Sequence, residues 1–333
     1  MNSRNDKTAR PRASGVSLVE IMVALVIGLF LILGTVSIYS RSRAIYRSTE
    51  AVARLQETAR YAFDVIEPDV RMASYWGLGS RTGHVVNRAG PSQGTPVELA
   101  AVEAVIDRCG DNWAIDLDGY LAGWNGAAGF SLACTAYQDD YRAGTDGLIL
   151  RRGSETAAEA LVGERLYIQS GRLHGALFVA DASCTDPKNS ACIPGGYASD
   201  ASETRELIST AYYVTGSSVG RADVPALRRK RLATGSMLDE EVVSGVEDLQ
   251  IRFGIDTDGD TNADSYVDPA ADPDTHEGRI VAVTIWLRVR AENTEPGFTD
   301  HRVYRYADVD EAPGDRFRRI VVSKTMSLHN RRS

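Results

Sequence analysis

Residues 16–39 form an apolar run of 24 residues, VSLVEIMVALVIGLFLILGTVSIY, with a single charge at Glu20. Twenty-four residues of helix extend about 36 Å, enough to cross the roughly 30 Å hydrocarbon core of a bilayer. Four basic residues and one acidic residue precede the run. Because positive charge beside a membrane helix stays in the cytoplasm, we expect this first segment to be cytoplasmic. Arg41, Arg43 and Arg47 follow the run, so the excess of basic residues on its N-terminal side, which sets this orientation, is small.

The carboxylate of Glu20 inside this apolar run needs an explanation. Inserting it costs about 2–3 kcal/mol, so such a residue is usually kept for a partner. The positive end of the helix dipole contributes only about 0.5 kcal/mol, which does not offset that cost. A secretory signal peptide fits poorly, because the run is too long and no A-x-A-like cleavage site follows it. A plain single-pass anchor accounts for the run but leaves Glu20 unexplained.

Residues 15–20, GVSLVE, resemble the class III signal of type IV prepilins and pseudopilins. The resemblance implies that a prepilin peptidase cleaves between Gly15 and Val16, and that Val16 becomes the N-methylated first residue. Members of the family usually have phenylalanine at that position. The resemblance also implies an assembly role for Glu20, which becomes the fifth mature residue. It lies about 6 Å along the axis from Val16 and can neutralise the terminal ammonium of a neighbouring subunit.

Apolar residues continue at helical spacing beyond the membrane run, with charged residues between them. The pattern predicts one helix over residues 16–70, half in lipid and half amphipathic. Its apolar stripe comprises Ile45, Val52, Leu55, Ala59, Ala62, Phe63, Ile66 and Val70. Pro68 is expected to end or kink the helix. Residues 71–77, RMASYWG, resemble the segment into which this helix runs in the PilW family of minor pilins; where that family commonly has a cysteine next, this chain has Leu78.

After an irregular stretch at 78–145, the sequence pattern changes to that of β-strands. Strands are predicted at 147–152, 165–170, 176–180, 207–215, 226–232, 242–255, 280–290, 302–307 and 320–328. Residues 280–290, rich in β-branched side chains, suit a central antiparallel strand. One long helix followed by mostly strands predicts an α+β fold with a mainly antiparallel β head.

Three of the predicted strand regions also resemble the PilW family, in the same order along the chain. They are 207–215, 224–229 and 242–250, and the most specific is the GVEDLQ block that ends the third. The resemblance implies a pilin-like fold in three parts: a cytoplasmic leader at 1–15, a long helix at 16–70 with its transmembrane half at 16–39, and a periplasmic head at 71–333.

Residues 256–264 place oxygen-bearing side chains at alternate positions, the pattern with which calcium loops surround one ion. The candidate ligands are Asp256, Asp258, Asp260, Asn262 and Asp264. Four carboxylates this close repel one another without a cation, which favours a calcium site. The loop is not an EF-hand, because the glycine and the closing glutamate of that motif are missing. The alternative, a solvated acidic hairpin loop between two strands, stays open.

The chain has four cysteines, enough for two disulfide bonds in an extracytoplasmic head. Cys109 and Cys134 are 25 residues apart, and Cys184 and Cys192 are 8 apart. We prefer pairing between these neighbours among the three possible connectivities; free buried thiols are the alternative. The spacings do not suit zinc, because they lack C-x₂-C and no histidine lies close to them.

Other features exclude several classes of function. The formal net charge is −8, which argues against nucleic acid as the main partner. Residues 216–220 match the G-x-S-x-G pattern of hydrolases, but no helix pattern follows them, so a turn is expected. The five histidines are scattered and form no ligand pair. The sequence therefore carries no catalytic constellation, and we expect no enzyme.

Together these features predict a minor pilin that primes or caps a type IV pilus with other minor pilins. The implied partners are the major pilin, the prepilin peptidase, the inner-membrane assembly platform and a tip adhesin. The chain is expected in the inner membrane, with its head in the periplasm, and then in the extracellular pilus. Two alternatives stay open: a minor pseudopilin of type II secretion, and a single-pass periplasmic calcium-binding or enzymatic protein.

Overall fold

A computed structural model of the chain forms the basis of the structural description. The residues that it describes are 15–79, 82, 85–86, 114–130, 132, 134–172, 174–189, 192–193, 202–233, 236–269, 280–328 and 330. They fall into two compact units, Met1–Ala51 and Val52–Ser333. The division between the units lies inside the long N-terminal helix, so each unit is described separately.

The helix α1, Leu18–Met72, is the single α-helix of the described residues. In the first unit its apolar side chains are exposed all round the axis. Among the described residues, α1 is the one helix long and apolar enough to cross a membrane by length and composition. None of the described residues of the first unit covers this apolar surface, so these residues form no core of their own.

In the second unit, the remaining turns of α1 pack into the core. Leu55, Phe63, Ile66 and Val70 are at most 5% exposed, which confirms this part of the predicted apolar stripe. Pro68 does not end the helix, because α1 continues to Met72, and a kink at this residue stays a prediction. Proline inside a helix removes one hydrogen bond and costs about 3 kcal/mol. Burial of the side chains on either side of it, Ile66 and Val70, offsets that cost.

The larger sheet of the second unit has eight strands. They are β1 (Val85–Val86), β2 (Leu121–Trp124), β3 (Gly147–Gly153), β4 (Leu166–Ser170), β5 (Gly175–Val179), β6 (Glu203–Thr215), β7 (Ala226–Ala233) and β8 (Ser236–Ser244). The strands run in the order β1-β5-β4-β6-β3-β2, with β7 added to β6 and β8 to β7. Strand β6 organises this sheet, because its 13 residues pair with β4, β3 and β7 in turn. Every pairing is antiparallel except β1 with β5.

The smaller sheet has four strands, in the order β10-β9-β11-β14, all antiparallel. They are β9 (Val246–Ile255), β10 (Ser265–Val267), β11 (Ile280–Arg290) and β14 (Arg319–Ser327). A separate hairpin joins β12 (Tyr304–Tyr306) to β13 (Val309–Glu311). Strand β11 coincides with the predicted central strand at 280–290 and lies between β9 and β14. The predicted α+β class is confirmed.

Two predicted strands have different bounds in the structure. The run predicted at 242–255 is two strands, because the chain leaves the larger sheet at Ser244 and enters the smaller one at Val246. Gly245 makes the corner with φ +90, and a Cβ there would lie 3.1 Å from the carbonyl oxygen of Arg290. The run predicted at 302–307 is shorter, and it pairs in the β12–β13 hairpin.

One apolar core fills the second unit between α1 and the two sheets. It contains Ile66 from α1, Leu150 and Tyr212 from the larger sheet, and Leu249 and Ile285 from the smaller one. A separate small cluster of Leu161, Tyr167, Phe178, Ala180 and Ile193 lies on the outer part of the larger sheet. Two 3₁₀ helices, Gly126–Ala128 and Tyr137–Asp139, lie in the stretch 78–145 that was expected to be loops with short strands or helices. The strand β2 also lies there.

Candidate assembly site

The predicted processing and assembly residues lie together at the start of the first unit. Gly15 and Val16 precede α1, and Val16 is 64% exposed. The amide of Ile21 donates to the carbonyl of Ser17 across 3.1 Å and opens the helix. Glu20 is exposed in the first helical turn. This geometry leaves the Gly15–Val16 bond and the Glu20 carboxylate accessible from outside the chain.

The apolar surface around Glu20 is not covered by any described residue of the first unit. Its large apolar side chains, from Val16 to Tyr39, are between 50% and 74% exposed. Leaving that much apolar area in water is unfavourable by about 25 cal/mol per Å². A helix that is apolar all round has to lie in lipid or among other apolar helices. The apolar surface of the first unit is therefore stable only when a membrane or a helix bundle covers it.

In the second unit, two acidic residues near the end of α1 attach the helix to both sheets. Asp69 accepts a hydrogen bond from the Tyr212 hydroxyl at 2.7 Å and forms an ion pair with Arg152 of β3 at 2.9 Å. Burial raises the pKa of the Tyr212 hydroxyl, so it stays protonated and donates. Glu67 pairs with Lys324 of β14, and this hydrogen bond lowers the pKa of Glu67.

Sequence reasoning missed this attachment of the helix to the sheets. The available signal was that Glu67 and Asp69 lie in the last turn of an apolar stripe, where charged residues have to find partners once the stripe is buried. Their cationic partners lie far along the chain: Arg152 is 83 positions after Asp69, and Lys324 is 257 positions after Glu67. No local pattern shows such a distant pairing.

The GVEDLQ block is a structural element of the head. Glu247 is 1% exposed and lies among three arginines: Arg288 at 2.7 Å, Arg319 at 2.5 Å and Arg290 at 3.9 Å. A buried carboxylate of this kind is tolerated because several cations surround it. These ion pairs join β9 to β11 and β14, so the glutamate of the GVEDLQ block holds the smaller sheet together.

Asp248, the next residue of the block, attaches the β12–β13 hairpin. It accepts a hydrogen bond from the Tyr306 hydroxyl, and it accepts another from the Gln250 side-chain amide at 3.0 Å. Burial raises the pKa of Asp248, and these two donors oppose that increase. The hairpin also contributes Glu311, which pairs with Arg288 at 2.8 Å. The hairpin is thus fixed on the smaller sheet through polar contacts.

The G-x-S-x-G pattern at 216–220 forms a turn, as expected from its sequence context. Ser218 and Arg221 form an isolated antiparallel bridge between the ends of β6 and β7. The hydroxyl of Ser218 donates to the carboxylate of Glu241 at 2.8 Å. No helix follows in the described residues, so the strand-turn-helix context of a hydrolase nucleophile is missing.

The acidic loop at 256–264 connects β9 to β10 in an antiparallel hairpin. Asp256, Asp258 and Asp260 each place one carboxylate oxygen within 4.8 Å of the other two. Asp256 is buried and accepts from the amides of Gly259 and Thr261, at 2.7 and 3.0 Å. The structure thus brings together three of the five predicted calcium ligands.

The other two predicted ligands take part in hydrogen bonds within the loop. The Asn262 side-chain amide donates to Asp260 at 2.9 Å, which lowers the pKa of Asp260. Asp264 accepts from the hydroxyl and the amide of Thr257, and these bonds lower its pKa. The loop therefore forms with its own hydrogen bonds, and calcium binding by it stays a prediction.

One of the two predicted disulfide pairs lies fully within the described residues. Cys184 and Cys192 are bonded, with their Cα atoms 5.5 Å apart. Cys192 packs against the small cluster on the larger sheet, so the bond closes a loop over that cluster. Cys134 is also disulfide-bonded. Its predicted partner, Cys109, lies outside the described residues.

Comparisons with known proteins agree with both ends of this arrangement. Residues 211–330 match the family described as Type IV Pilus-assembly protein W, PilW. Residues 10–36 match the prokaryotic N-terminal methylation motif. A solved structure, the type IV-like pilin TTHA1219 from Thermus thermophilus, matches with 13% identity and a TM-score of 0.27. That match covers 56% of this chain and 80% of the pilin. No curated protein matches the chain.

The N-terminal methylation motif thus opens an exposed apolar helix, on a chain with a mainly antiparallel β head. The PilW match covers β7, β9, β11 and β14 together with the buried Glu247 and its arginine partners. Over residues 211–330 the chain is therefore similar to the PilW family of type IV pilus assembly proteins.

Proposed function

We propose that this protein is a minor pilin that primes or caps a type IV pilus together with other minor pilins. The observation that carries the proposal is the single helix α1. Its first part exposes an apolar surface that needs neighbouring helices or lipid, and its last turns are built into a β head. A subunit of this design joins a bundle through one end and presents a folded head at the other.

The proposal includes processing at the Gly15–Val16 bond by the prepilin peptidase. The bond lies outside α1, so a peptidase can reach it without unwinding the helix. Before cleavage, the basic leader holds the start of the chain in the cytoplasm and the head is exported to the periplasm. After cleavage, Val16 carries a new α-ammonium, the site of N-methylation, at the start of an apolar helix.

After cleavage, Glu20 favours association of the helix with the helix of a neighbouring subunit. In lipid its carboxylate costs about 2–3 kcal/mol, and an ammonium beside it removes much of that cost. The ammonium of a neighbouring subunit can lie level with Glu20 when the two helices are offset by about 6 Å along their axes. Entry into the helix bundle thus satisfies two charges that lipid leaves unpaired.

Within the fibre we place the chain among other minor pilins, in contact with the major pilin and with the inner-membrane assembly platform during export. The head, carried on the end of α1, is the part available to a tip adhesin. A minor pseudopilin of type II secretion has the same N-terminal segment. The PilW match of the head favours the pilus, since it covers the sheet and not the shared helix.

Sheared pili and total membranes from the producing cells test the proposal. We expect intact-mass measurement to show a chain that begins at Val16 in the pilus fraction, and the precursor from Met1 in cells without the peptidase. Deleting the gene should lower the number of pili and leave the major pilin in the membrane. A mature chain confined to membranes, with secretion of exoproteins lost and piliation normal, would favour the pseudopilin.

A calcium-binding role for the head is a separate proposal. It rests on the oxygens of Asp256, Asp258 and Asp260, which lie within 4.8 Å of one another. A loop with three exposed carboxylates and no complete ligand set should bind calcium with a Kd of about 10⁻⁴–10⁻³ M, the range of extracellular modules. Binding would stabilise the head without taking part in the assembly step at Glu20.

A further inference from the structure

A buried carboxylate lies at the contact between the two sheets of the head. It belongs to Asp146, the residue before β3, which is 1% exposed. The backbone amide of Asp146 donates to the carbonyl of Leu249 in β9 at 2.8 Å. The carboxylate accepts from the amide of Ile251, also in β9, at 2.8 Å and from the amide of Gly126 at 2.9 Å. Asp146 therefore connects β3, the first 3₁₀ helix and β9 at one point.

The ionisable groups that face Asp146 do not supply a positive charge. Asp248 faces it from β9, and Asp308 faces it from the turn between β12 and β13. Tyr141, in the segment before β3, contributes a neutral hydroxyl, and burial raises the pKa of that hydroxyl. Burial, together with the two neighbouring carboxylates, raises the pKa of Asp146 to about 7.

The cations of the adjacent strands are paired with other acids. Arg288 of β11 pairs with Glu247 at 2.7 Å and with Glu311 at 2.8 Å. Arg252 of β9 pairs with Asp268 at 2.7 Å. Within the described part of the chain, the buried carboxylate before β3 therefore has amide donors and no ion-pair partner. Two amide donors offset only part of the cost of burying a charge without a cation.

The two acidic neighbours also belong to the attachment of the β12–β13 hairpin. Asp308 accepts from the side-chain amide of Asn125 at 3.2 Å. Asp248 accepts from the Tyr306 hydroxyl. A negative charge on Asp146 repels both of these carboxylates. Ionisation of Asp146 therefore opposes docking of the hairpin as well as the contact between the sheets.

We propose that Asp146 is a pH-sensitive joint of the head, which holds β3, β9 and the hairpin together when it is protonated and loosens them when it is ionised. The folded head keeps this proton up to about pH 7, whereas the unfolded chain releases it near pH 4. The stabilisation is therefore complete below about pH 4 and is lost as the pH rises through about 7. The proposal does not rest on the minor-pilin function, because it concerns the folded head alone.

The pH dependence of thermal melting tests the joint in the full-length protein in detergent. From about pH 5.5 to about pH 8.5 at constant ionic strength, the melting temperature of the wild type should fall. Asp146→Asn keeps the size of the side chain and cannot ionise, so it should lose about half or more of that decrease. A wild-type melting temperature that does not fall, or a variant that keeps the full decrease, would overturn the proposal.

A second variant acts on Asp146 from an exposed position and leaves the core unchanged. Asp308→Asn keeps an oxygen that accepts from Asn125 but removes a negative charge, which lowers the pKa of Asp146. The midpoint of the decrease in melting temperature should therefore move to lower pH. Asp310→Asn is the matched control, because that exposed carboxylate of the same hairpin pairs with Arg305. Equal midpoints in the two variants would contradict the proposal.

Hydrogen exchange shows where the head loosens. When the pH is raised from about 6 to about 8, peptides that contain Gly126, Ile251 or the β12–β13 hairpin should lose protection about tenfold, after correction for the intrinsic exchange rate. Peptides that contain Ile66 of α1 should keep their protection. A uniform loss over the whole head, or no loss at the joint, would show that Asp146 is not a local pH-sensitive contact.

Discussion

The two parts of α1 are made by one uninterrupted helix, yet they depend on different surroundings. In the first unit, the large apolar side chains from Val16 to Tyr39 are at least 50% exposed. In the second, Leu55, Ile66 and Val70 are at most 4% exposed because the sheets cover them. The same helical backbone is therefore stabilised in different ways in its two parts. The first part needs a partner from outside the chain, and the second has found its partner within it.

Charged residues show the same contrast. In the described residues, Glu20 has no ion pair within the first unit, whereas Asp69 is held by Arg152 and Tyr212. A carboxylate that the fold satisfies contributes to folding, and one that the fold leaves free is available for assembly. The comparison predicts that changes in the first part affect assembly and leave the head folded, while changes in the second part unfold it.

The largest effect is expected at the cleavage site. Gly15→Val should leave the full precursor in the membrane and abolish entry into pili, with the head melting at the wild-type temperature. Intact-mass measurement shows whether the precursor is retained, and the amount of the protein in sheared pili shows whether it has been incorporated. The control is Gly34→Ala, because a Cβ at Gly34 meets no atom within 4 Å. Mature pili that contain the Gly15→Val chain would contradict the processing proposal.

Removing Asp69 should have the largest effect on the head. Asp69→Ala leaves the Arg152 guanidinium buried without its carboxylate, which costs about 3–5 kcal/mol. Asp64→Ala is the matched control, since its pair with Arg60 is exposed and should change the free energy of unfolding by less than about 1 kcal/mol. Denaturant unfolding of the detergent-solubilised protein measures both. Equal effects would show that Asp69 does not attach the helix.

Two substitutions that shorten a side chain to alanine compare the two parts of α1 directly. Ile66→Ala removes a fully buried side chain and should lower the free energy of unfolding of the head by about 2–5 kcal/mol. Leu31→Ala, at a position 67% exposed, should change it by less than about 0.5 kcal/mol. Thermal melting of both variants in the same detergent checks the difference. A large loss for Leu31→Ala would mean that the first part packs on the head.

Glu20→Ala separates assembly from insertion. The variant should insert and be cleaved at least as readily, because the cost of the buried carboxylate is gone. We expect about tenfold less of it in pili, since the neighbour's ammonium loses its partner. Glu57→Ala, an exposed position in the second unit, is the control. Normal piliation by Glu20→Ala would favour a carboxylate that only interacts with the helix dipole.

Calcium should have the smallest effect, confined to the head. With a Kd near 1 mM, about 5 mM Ca²⁺ adds about 1 kcal/mol to the stability of the folded state. Asp258→Ala with Asp260→Ala should abolish the increase in melting temperature. The same double change should slightly stabilise the calcium-free protein by removing carboxylate repulsion. Calorimetry without binding at several millimolar Ca²⁺ would favour the solvated loop.

Much of the fold could be predicted from local patterns, and the errors have a common cause. Strand β11 coincides with the run predicted at 280–290, because β-branched residues mark a buried strand wherever it packs. The run at 242–255 is two strands because Gly245 turns the chain between sheets. Pro68 does not end α1 because core packing outweighs a local preference. Both errors arise where long-range contacts decide.

By itself, the sequence determined the features that depend on local order along the chain. These are the N-terminal methylation motif, Glu20, the apolar run and the change from helical to strand patterns. Only the tertiary structure decided which charges are satisfied. It joined Asp69 to Arg152 and Glu247 to three arginines, and it left Glu20, Arg43 and Arg47 exposed. Sequence periodicity records which side of an element is apolar, whereas the partner of a charge depends on residues brought together from distant parts of the chain.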